Sequence, residues 1–348
     1  MNKQYKTILQ ALLFAVIGVV VLGLVYRSNN KAYQEECIAK GTVGDCQLID
    51  KVIADVSTAD YKWIVASLLL FMLSNISRAA RWKIMLEPLG YKPSFFNAVA
   101  SIMVAYLANL GLPRSGEFVR AGLLSKYEGY PVEKVMGTIV LDRIADVVML
   151  LVTISITAVL SYDTFFQYLQ SHSTLGDKLS MLTEVRLLLP VGTVAAVIAA
   201  LVYRYRTTLV GSKIGSKVWK LLMGFKEGVM SITKLRRPWA FVGHSIFIWL
   251  CYFTMTYVVF FAYEPTELLS PIAGLVVFVF GTLGIVFPSP GGMGSYHYLV
   301  GEGLALYGVG ASDAFSFANI IFFSVQLFCN ILFGTIALVL LPVFNNEK

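Results

Sequence analysis

Eight runs of this chain carry no Asp, Glu, Lys or Arg for between 15 and 34 residues. An α-helix needs about 20 apolar residues to cross roughly 30 Å of hydrocarbon, so such runs commit a chain either to a bilayer or to an unusually large core. Composition decides between the two. Of the 348 residues, 57% are hydrophobic and 14% charged, about half the charged share of a soluble domain. A soluble enzyme, a nucleic-acid binder, a disordered tail and a fibrous protein are all excluded. The net charge of +7, from 28 Lys+Arg against 21 Asp+Glu, then reads as cytoplasmic loops held inside, not as a nucleic-acid surface. The expected class is an all-α polytopic membrane protein.

Six runs are expected to be full transmembrane helices, over 7–26, 61–81, 138–162, 187–203, 240–263 and 314–342. The first follows Lys3 and Lys6 and ends before Arg27; Leu24-Val25-Tyr26 offers no small-residue exit for a signal peptidase, so it reads as a retained helix with a cytoplasmic N-terminus. The polar segment 27–60 is then an extracytoplasmic loop. Its Cys37 and Cys46, with eight residues between them, either close a disulfide worth roughly 2–3 kcal/mol of loop entropy or stay as two free thiols. Cys251 and Cys329 fall in apolar helices and read as core.

The basic segment 204–239 holds nine Lys and Arg up to Arg237 against the single acid Glu227, which places it in the cytoplasm. Its apolar residues from Ile214 to Ile232 recur at helical spacing, although topology anchoring explains its charge without an interfacial helix. Counting crossings back from this loop puts both flanks of Pro93–Pro113 on the inner side. That run therefore cannot be a full span, and 93–126 is expected as a re-entrant hairpin turning at Leu112-Pro113-Arg114-Ser115-Gly116. The run Leu268–Gly301 is about 51 Å as a helix, too long for one crossing and too short for two. It is broken by Pro288-Ser289-Pro290-Gly291-Gly292-Met293-Gly294, which no continuous helix tolerates. Segment 268–301 becomes a second hairpin, entering from outside and leaving the C-terminus cytoplasmic. Irregular backbone at membrane depth survives only against protein or a wet cavity. Two opposed broken turns, one in each half, are the pattern of an inverted repeat with a substrate site near the midplane.

Charges gather at the same depth. Val147–Tyr162 spans only about 24 Å, so its helix must draw in Asp142, Arg143 and Asp146. Asp142 and Asp146 share a face at four apart; Arg143 and Asp146, and likewise Glu117 and Arg120, can pair at three apart. Arg78 and Arg81 lie near the inner boundary of the second span. Each buried charge costs about 2.5–3.5 kcal/mol on insertion scales, so the group should face a protein interior or a wet cavity. Arg78, Arg81, Arg114, Arg120 and Arg143 outnumber Glu117, Asp142 and Asp146 by two, and guanidinium forks suit phosphate oxygens. His172, His244 and His297 are scattered with no metal-ligand or triad spacing; His297 draws interest as the one just past the second broken turn. No metal, no cofactor and no catalysis are expected, and without a GxxxxGK[ST] loop any ATP drive would need another subunit.

Four ordered motifs, Ser77-Arg78-Ala79-Ala80-Arg81-Trp82, Leu112 to Ala121, Val140 to Asp146 and Pro288 to Gly294, together resemble the flippase-like, lysylphosphatidylglycerol synthase transmembrane-region family of bacteria and archaea. The resemblance covers most of the chain after about residue 60. It implies likeness to the membrane half of the enzyme that makes aminoacylated phosphatidylglycerol and moves it to the outer leaflet. Other members are associated with polyisoprenoid-linked glycans or hopanoids. Two departures stand out: many members carry a glutamate soon after the glycine turn, where Ser295-Tyr296-His297 follows here with Glu302 further along, and Asp142 replaces a frequent glutamate. No aminoacyl-transferase domain follows the last helix, so lysyl-lipid synthesis is not expected.

The reading is a lipid transporter or flippase in the bacterial inner membrane, multi-pass with both termini cytoplasmic, moving an anionic phospholipid or polyisoprenoid phosphate. Its assembly partners would be a second copy or a biosynthetic enzyme. Arg78, Arg81, Arg114 and Arg120 are expected to touch phosphate, with Glu117, Asp142 and Asp146 orienting them or carrying a coupling proton, and Arg143 is counted in the same substrate-binding site. Pro288, Gly291, Gly292, Gly294 and His297 complete the candidate site. A secondary transporter for a small soluble anion, and a membrane-embedded lipid phosphate transferase or phosphatase, are the alternatives.

Overall fold

The computed structural model describes residues 3–39, 46–112, 114–162, 223, 230–286 and 292–345, and among them regular structure is helical throughout. In chain order the helices are α1 (Lys3–Ala39), α2 (Leu48–Thr58), α3 (Tyr61–Leu86), α4 (Phe95–Gly111), α5 (Gly116–Glu128) and α6 (Val132–Leu160). There follow α7 (Pro238–Val258), α8 (Pro271–Val286), α9 (Ser295–Ala305), α10 (Ala311–Ile321) and α11 (Asn330–Asn345). A π-helical stretch, Phe322–Cys329, joins α10 to α11 without a break. Four described helices are long and apolar enough to cross a bilayer: Tyr61–Leu89, Val132–Leu160, Pro238–Ala262 and Ala311–Asn345. Phe95–Gly111 and Pro271–Val286 are apolar but shorter. The expected span 187–203 and most of 204–239 lie outside the described residues, as do Pro113, Pro288, Gly291 and His172.

The expected loop 27–60 is largely helical. α1 runs past Tyr26 to Ala39 because its polar tail is built from residues such as Lys31, Gln34 and Glu35 that favour helix as well as Leu does. A disulfide joins Cys37 to Cys46, their Cα atoms 6.6 Å apart, and so ties the end of α1 to the entry of α2. α3 begins at an Asp60 cap, whose carboxylate accepts from the Lys62 N–H. It continues beyond Arg81 to Leu86 because Trp82, Ile84, Met85 and Leu86 are all buried there.

α3 and α7 pack antiparallel. At one end Trp63 meets Phe261, and the Asp60 N–H donates to the Ala262 carbonyl; at the other, Arg237 pairs with Glu87. α6 enters at the Glu87 end, where Trp82 donates to Thr138 at 3.0 Å. The long rod α10–π–α11 runs from the Tyr263 end, past Phe71, to Asn345, which bonds Asn97.

Two helical hairpins fill the space between these rods, and they open toward opposite ends. In the first, α4 and α5, the free ends lie together at the Glu87 end: the Ser94 N–H donates to Glu128 at 2.8 Å, and Tyr91 stacks on Tyr130. Its turn is closed by the Gly116 N–H on the Asn109 side-chain oxygen. In the second, α8 and α9, the free ends lie at the Tyr263 end, where Tyr257 donates to the Leu269 carbonyl. Its turn is closed by the Ser295 hydroxyl donating to the Gly284 carbonyl at 2.7 Å, while Gly292 and Gly294 take φ of +81° and +85°. The two turns meet: Arg114 Nη2 donates to the Val286 carbonyl at 3.3 Å.

At the Tyr263 end, Lys51 of α2 lies 2.7 Å from both Asp55 and Asp313, and the Tyr263 hydroxyl lies 2.9 Å from each carboxylate. Burial alone would lower the Lys51 pKa, but hydrogen bonds and charge from Asp313 and Asp55 outweigh it and hold the value above the ordinary one. The folded pKa is raised, so this contribution is whole below about pH 10 and fades as pH climbs through the folded value. The melting temperature should therefore fall from about pH 10 upward, and Lys51→Met should flatten that fall. A wild-type profile level across that window would contradict this.

Candidate functional site

Asp142 is fully buried and is the centre of the charged cluster. It sits on α6 one turn before Asp146, while Arg78 and Arg81 sit three apart on α3, so each pair shares a face. The four interlock as a box. Arg78 Nη1 donates to Asp142 at 2.9 Å and Asp146 at 2.8 Å; Arg81 Nη2 donates to the other oxygen of Asp142 at 2.5 Å and of Asp146 at 2.7 Å. α7 supplies the remaining acceptors, Tyr252 for Arg78 and Ser245 for Arg81, both at 3.0 Å. Seven residues apart, these two lie on one face of α7.

Arg120 adds a third arginine to Asp142 at 2.9 Å and lays its guanidinium over the Trp82 ring, 3.8 Å from the centroid. Such stacking is favoured once the cation is desolvated. Its Nε and Nη2 have no hydrogen-bond partner among the described residues, although the side chain is buried. The Glu117–Arg120 pair expected at three apart does not form. Arg120 turns inward to Trp82 and Asp142, and Glu117 instead meets Arg143 at 3.0 Å. Arg143 also lies 3.7 Å from Asp146, the pairing its spacing allowed. Glu117, Arg120 and Arg143 border a cavity of about 10 Å³ with Tyr106 and Asn109, enough for about one water centre.

Of the residues assigned to phosphate, Arg78 and Arg81 have both Nη atoms engaged by the aspartates and by α7, and only their Nε atoms lack a hydrogen-bond partner among the described residues. Arg114 is exposed, at φ +63°, on the turn that touches Val286. The left-handed region strains a side chain of this size, so the turn holds Arg114 in place against a local preference. His297 is buried among the rings of Tyr296, Phe315 and Phe322, with no arginine of the cluster among these contacts. Pro288 and Gly291 fall outside the described residues; Gly292 and Gly294 shape the second turn.

Four buried or half-buried guanidinium groups, Arg78, Arg81, Arg120 and Arg143, face three carboxylates, Asp142, Asp146 and Glu117, a surplus of one positive charge. Fully paired buried charges hold a structure rigid, and removing one partner costs far more than the pair contributes. The box is closed on itself, and the surplus lies at the Arg120–Arg143 side.

Comparison with known proteins places this geometry. The family described as "Lysylphosphatidylglycerol synthase TM region" matches residues 48–334, which include both hairpins and every member of the charged cluster. The chain is also similar to the UPF0104 membrane protein MJ1595 of Methanocaldococcus jannaschii, 28% identical over 106 residues. That match covers 30% of this chain and 32% of the relative, so it spans about a third of the relative's length.

Proposed function

From the premise that the chain belongs to the lysylphosphatidylglycerol synthase transmembrane-region family, we propose that it moves an anionic lipid, or a lipid-linked anionic head group, between the leaflets of a bacterial inner membrane. The arrangement we assign is six full spans with two re-entrant hairpins as an inverted repeat and both termini cytoplasmic. The observation that carries this reading is the Arg114 contact with Val286: the turns of two opposed hairpins touch beside a charged cluster with one guanidinium in excess. Hairpins opening to opposite ends support alternating access, in which an anion held between the turns is exposed first to one leaflet and then to the other.

In this mechanism Asp142 and Asp146 keep Arg78 and Arg81 fixed, while Arg114, Arg120 and Arg143 contact the phosphate. The lipid tails stay in the hydrocarbon throughout. Family membership supports lipid as the substrate class, and no catalytic step is assigned.

Arg114 is exposed, so its replacement isolates function from folding. In proteoliposomes with fluorescent phosphatidylglycerol, Arg114→Gln should slow exchange between leaflets about tenfold, the loss of one charge-assisted hydrogen bond. Its melting temperature should stay close to wild type, as for other surface changes. Exchange at the wild-type rate would remove Arg114 from the pathway. Uptake of a soluble anion with no lipid exchange would move the reading to a soluble-solute transporter.

A further inference from the structure

The α3–α7 pair has two polar faces. One turns inward, where Arg78 and Arg81 meet Tyr252 and Ser245. On the other, Ser77 and His244, each the sequence neighbour of a cluster residue, share a hydrogen bond of 2.8 Å. That bond lies in a cleft of about 510 Å³ lined by Leu73, Ile76, Ala80, Gly243 and Phe247. Leu73, Ile76 and Phe247 are each about 40% exposed, so the cleft is open along an apolar rim.

Both walls belong to helices apolar and long enough to span a bilayer, and among the described residues the cleft is open, so at this depth it opens toward hydrocarbon. A serine–histidine pair there needs a reason, because polar groups in hydrocarbon are costly. Position along α7 supplies it. Trp239, 85% exposed, marks the interface at the start of the helix, next to exposed Arg236 and to Arg237, which is exposed while one of its nitrogens pairs with Glu87. His244 lies seven residues beyond Arg237, about 10 Å along the axis. That is the sequence of groups a phospholipid presents: phosphate at the arginines, glycerol ester a short way below, then an acyl chain.

We infer that the α3–α7 cleft is a binding site for one anionic phospholipid, its phosphate at Arg236 and Arg237, its ester at the Ser77–His244 pair and one acyl chain along Leu73, Ile76 and Phe247. The small residues Ala80 and Gly243, on the arginine side of the Ser77–His244 pair, provide depth for the glycerol. The inference rests on the lipid-handling reading for its ligand class and adds where the lipid waits before its head group reaches the cluster. Only the thickness of the helix pair separates this site from Arg78 and Arg81.

The test reads binding, not movement. Protein in vesicles of phosphatidylglycerol and phosphatidylethanolamine is photolysed with a phosphatidylglycerol carrying a diazirine in its acyl chain, and labelled peptides are located by mass spectrometry. The peptides holding Leu73 and Phe247 should label about fivefold more than lipid-facing Leu151 and Val159 of α6, the selectivity that about one net hydrogen bond gives. Gly243→Trp should bring them down to the α6 level. A Cβ at Gly243 meets nothing within 4 Å, so the backbone admits a side chain there, and a melting temperature near wild type checks that the variant is folded. His244→Ala should lower the excess labelling as well.

Labelling equal to that of α6 would mean ordinary lipid solvation and end the proposal. So would labelling that Gly243→Trp leaves unchanged. Arg114→Gln separates the two readings. Normal labelling with unchanged exchange in that variant counts against the assigned transport contacts alone, and absent labelling with normal exchange counts against the cleft alone.

Discussion

Asp142→Ala should unfold most of this protein at temperatures where the wild type is intact. The carboxylate has no exposed surface and accepts from three arginines, of which Arg78, Arg81 and Arg120 are themselves 0–3% exposed. Its removal leaves guanidinium groups buried without a counter-charge, a loss of about 3–5 kcal/mol where one partner of a buried pair is deleted. The melting temperature in detergent is the measurement. Adding Arg120→Met to Asp142→Ala should recover part of the loss, since the second change removes one of the stranded charges. Asp146, partly exposed and bonded to fewer arginines in the interior, should tolerate Asn with a smaller fall. A melting temperature for Asp142→Ala close to wild type would show that the cluster does not hold the helices together.

The second large effect belongs to the hairpins. A Cβ on Gly116 would overlap the Ala105 carbonyl oxygen, and one on Gly284 would lie 2.7 Å from the Tyr296 Cα. Both obstacles are backbone, so no rotamer change relieves them, and each hairpin must splay to admit a side chain. Gly116→Val and Gly284→Val should each cost about 1–3 kcal/mol, the usual range for overfilling a packed interior. Gly243→Ala, which points into open space, is the control. Size-exclusion profiles and melting curves of the three variants read this directly, and equal behaviour of all three would mean the hairpins are not tightly folded.

Much of this architecture was legible in the sequence because the bilayer makes few structures available. Uncharged runs marked the places of α3, α6, α7 and the α10–α11 rod, although α3 ends five residues after its expected bound and α6 begins six before, and Pro and Gly in otherwise apolar runs marked both hairpin turns. Asp142 and Asp146 at four apart, and Arg78 and Arg81 at three apart, signalled shared faces on their own helices. What could not be read was which faces meet. Glu117 finds Arg143 instead of Arg120 because Trp82, from another helix, offers Arg120 a ring to lie on. Ser245 and Tyr252 look like ordinary helix residues until α7 is set against α3. His244 shows no local partner, since Ser77 is 167 residues away in sequence. The helical stretch 27–39 was hidden by its polarity, which signals exposure and says little about backbone form.

The π-helical stretch Phe322–Cys329 has a mechanical consequence. Widening a helix to five-residue hydrogen-bonded rings adds a residue to the turn, and one residue of an α-helix is about 100° of rotation. The stretch thus acts as a phase shifter within a single rod. α10 presents its small and aromatic face to the second hairpin, and α11 turns Gly334 onto Met103 and Leu107 of the first. A torque applied to one half need not reach the other at full strength. One rod can then seat two hairpins at different rotational settings.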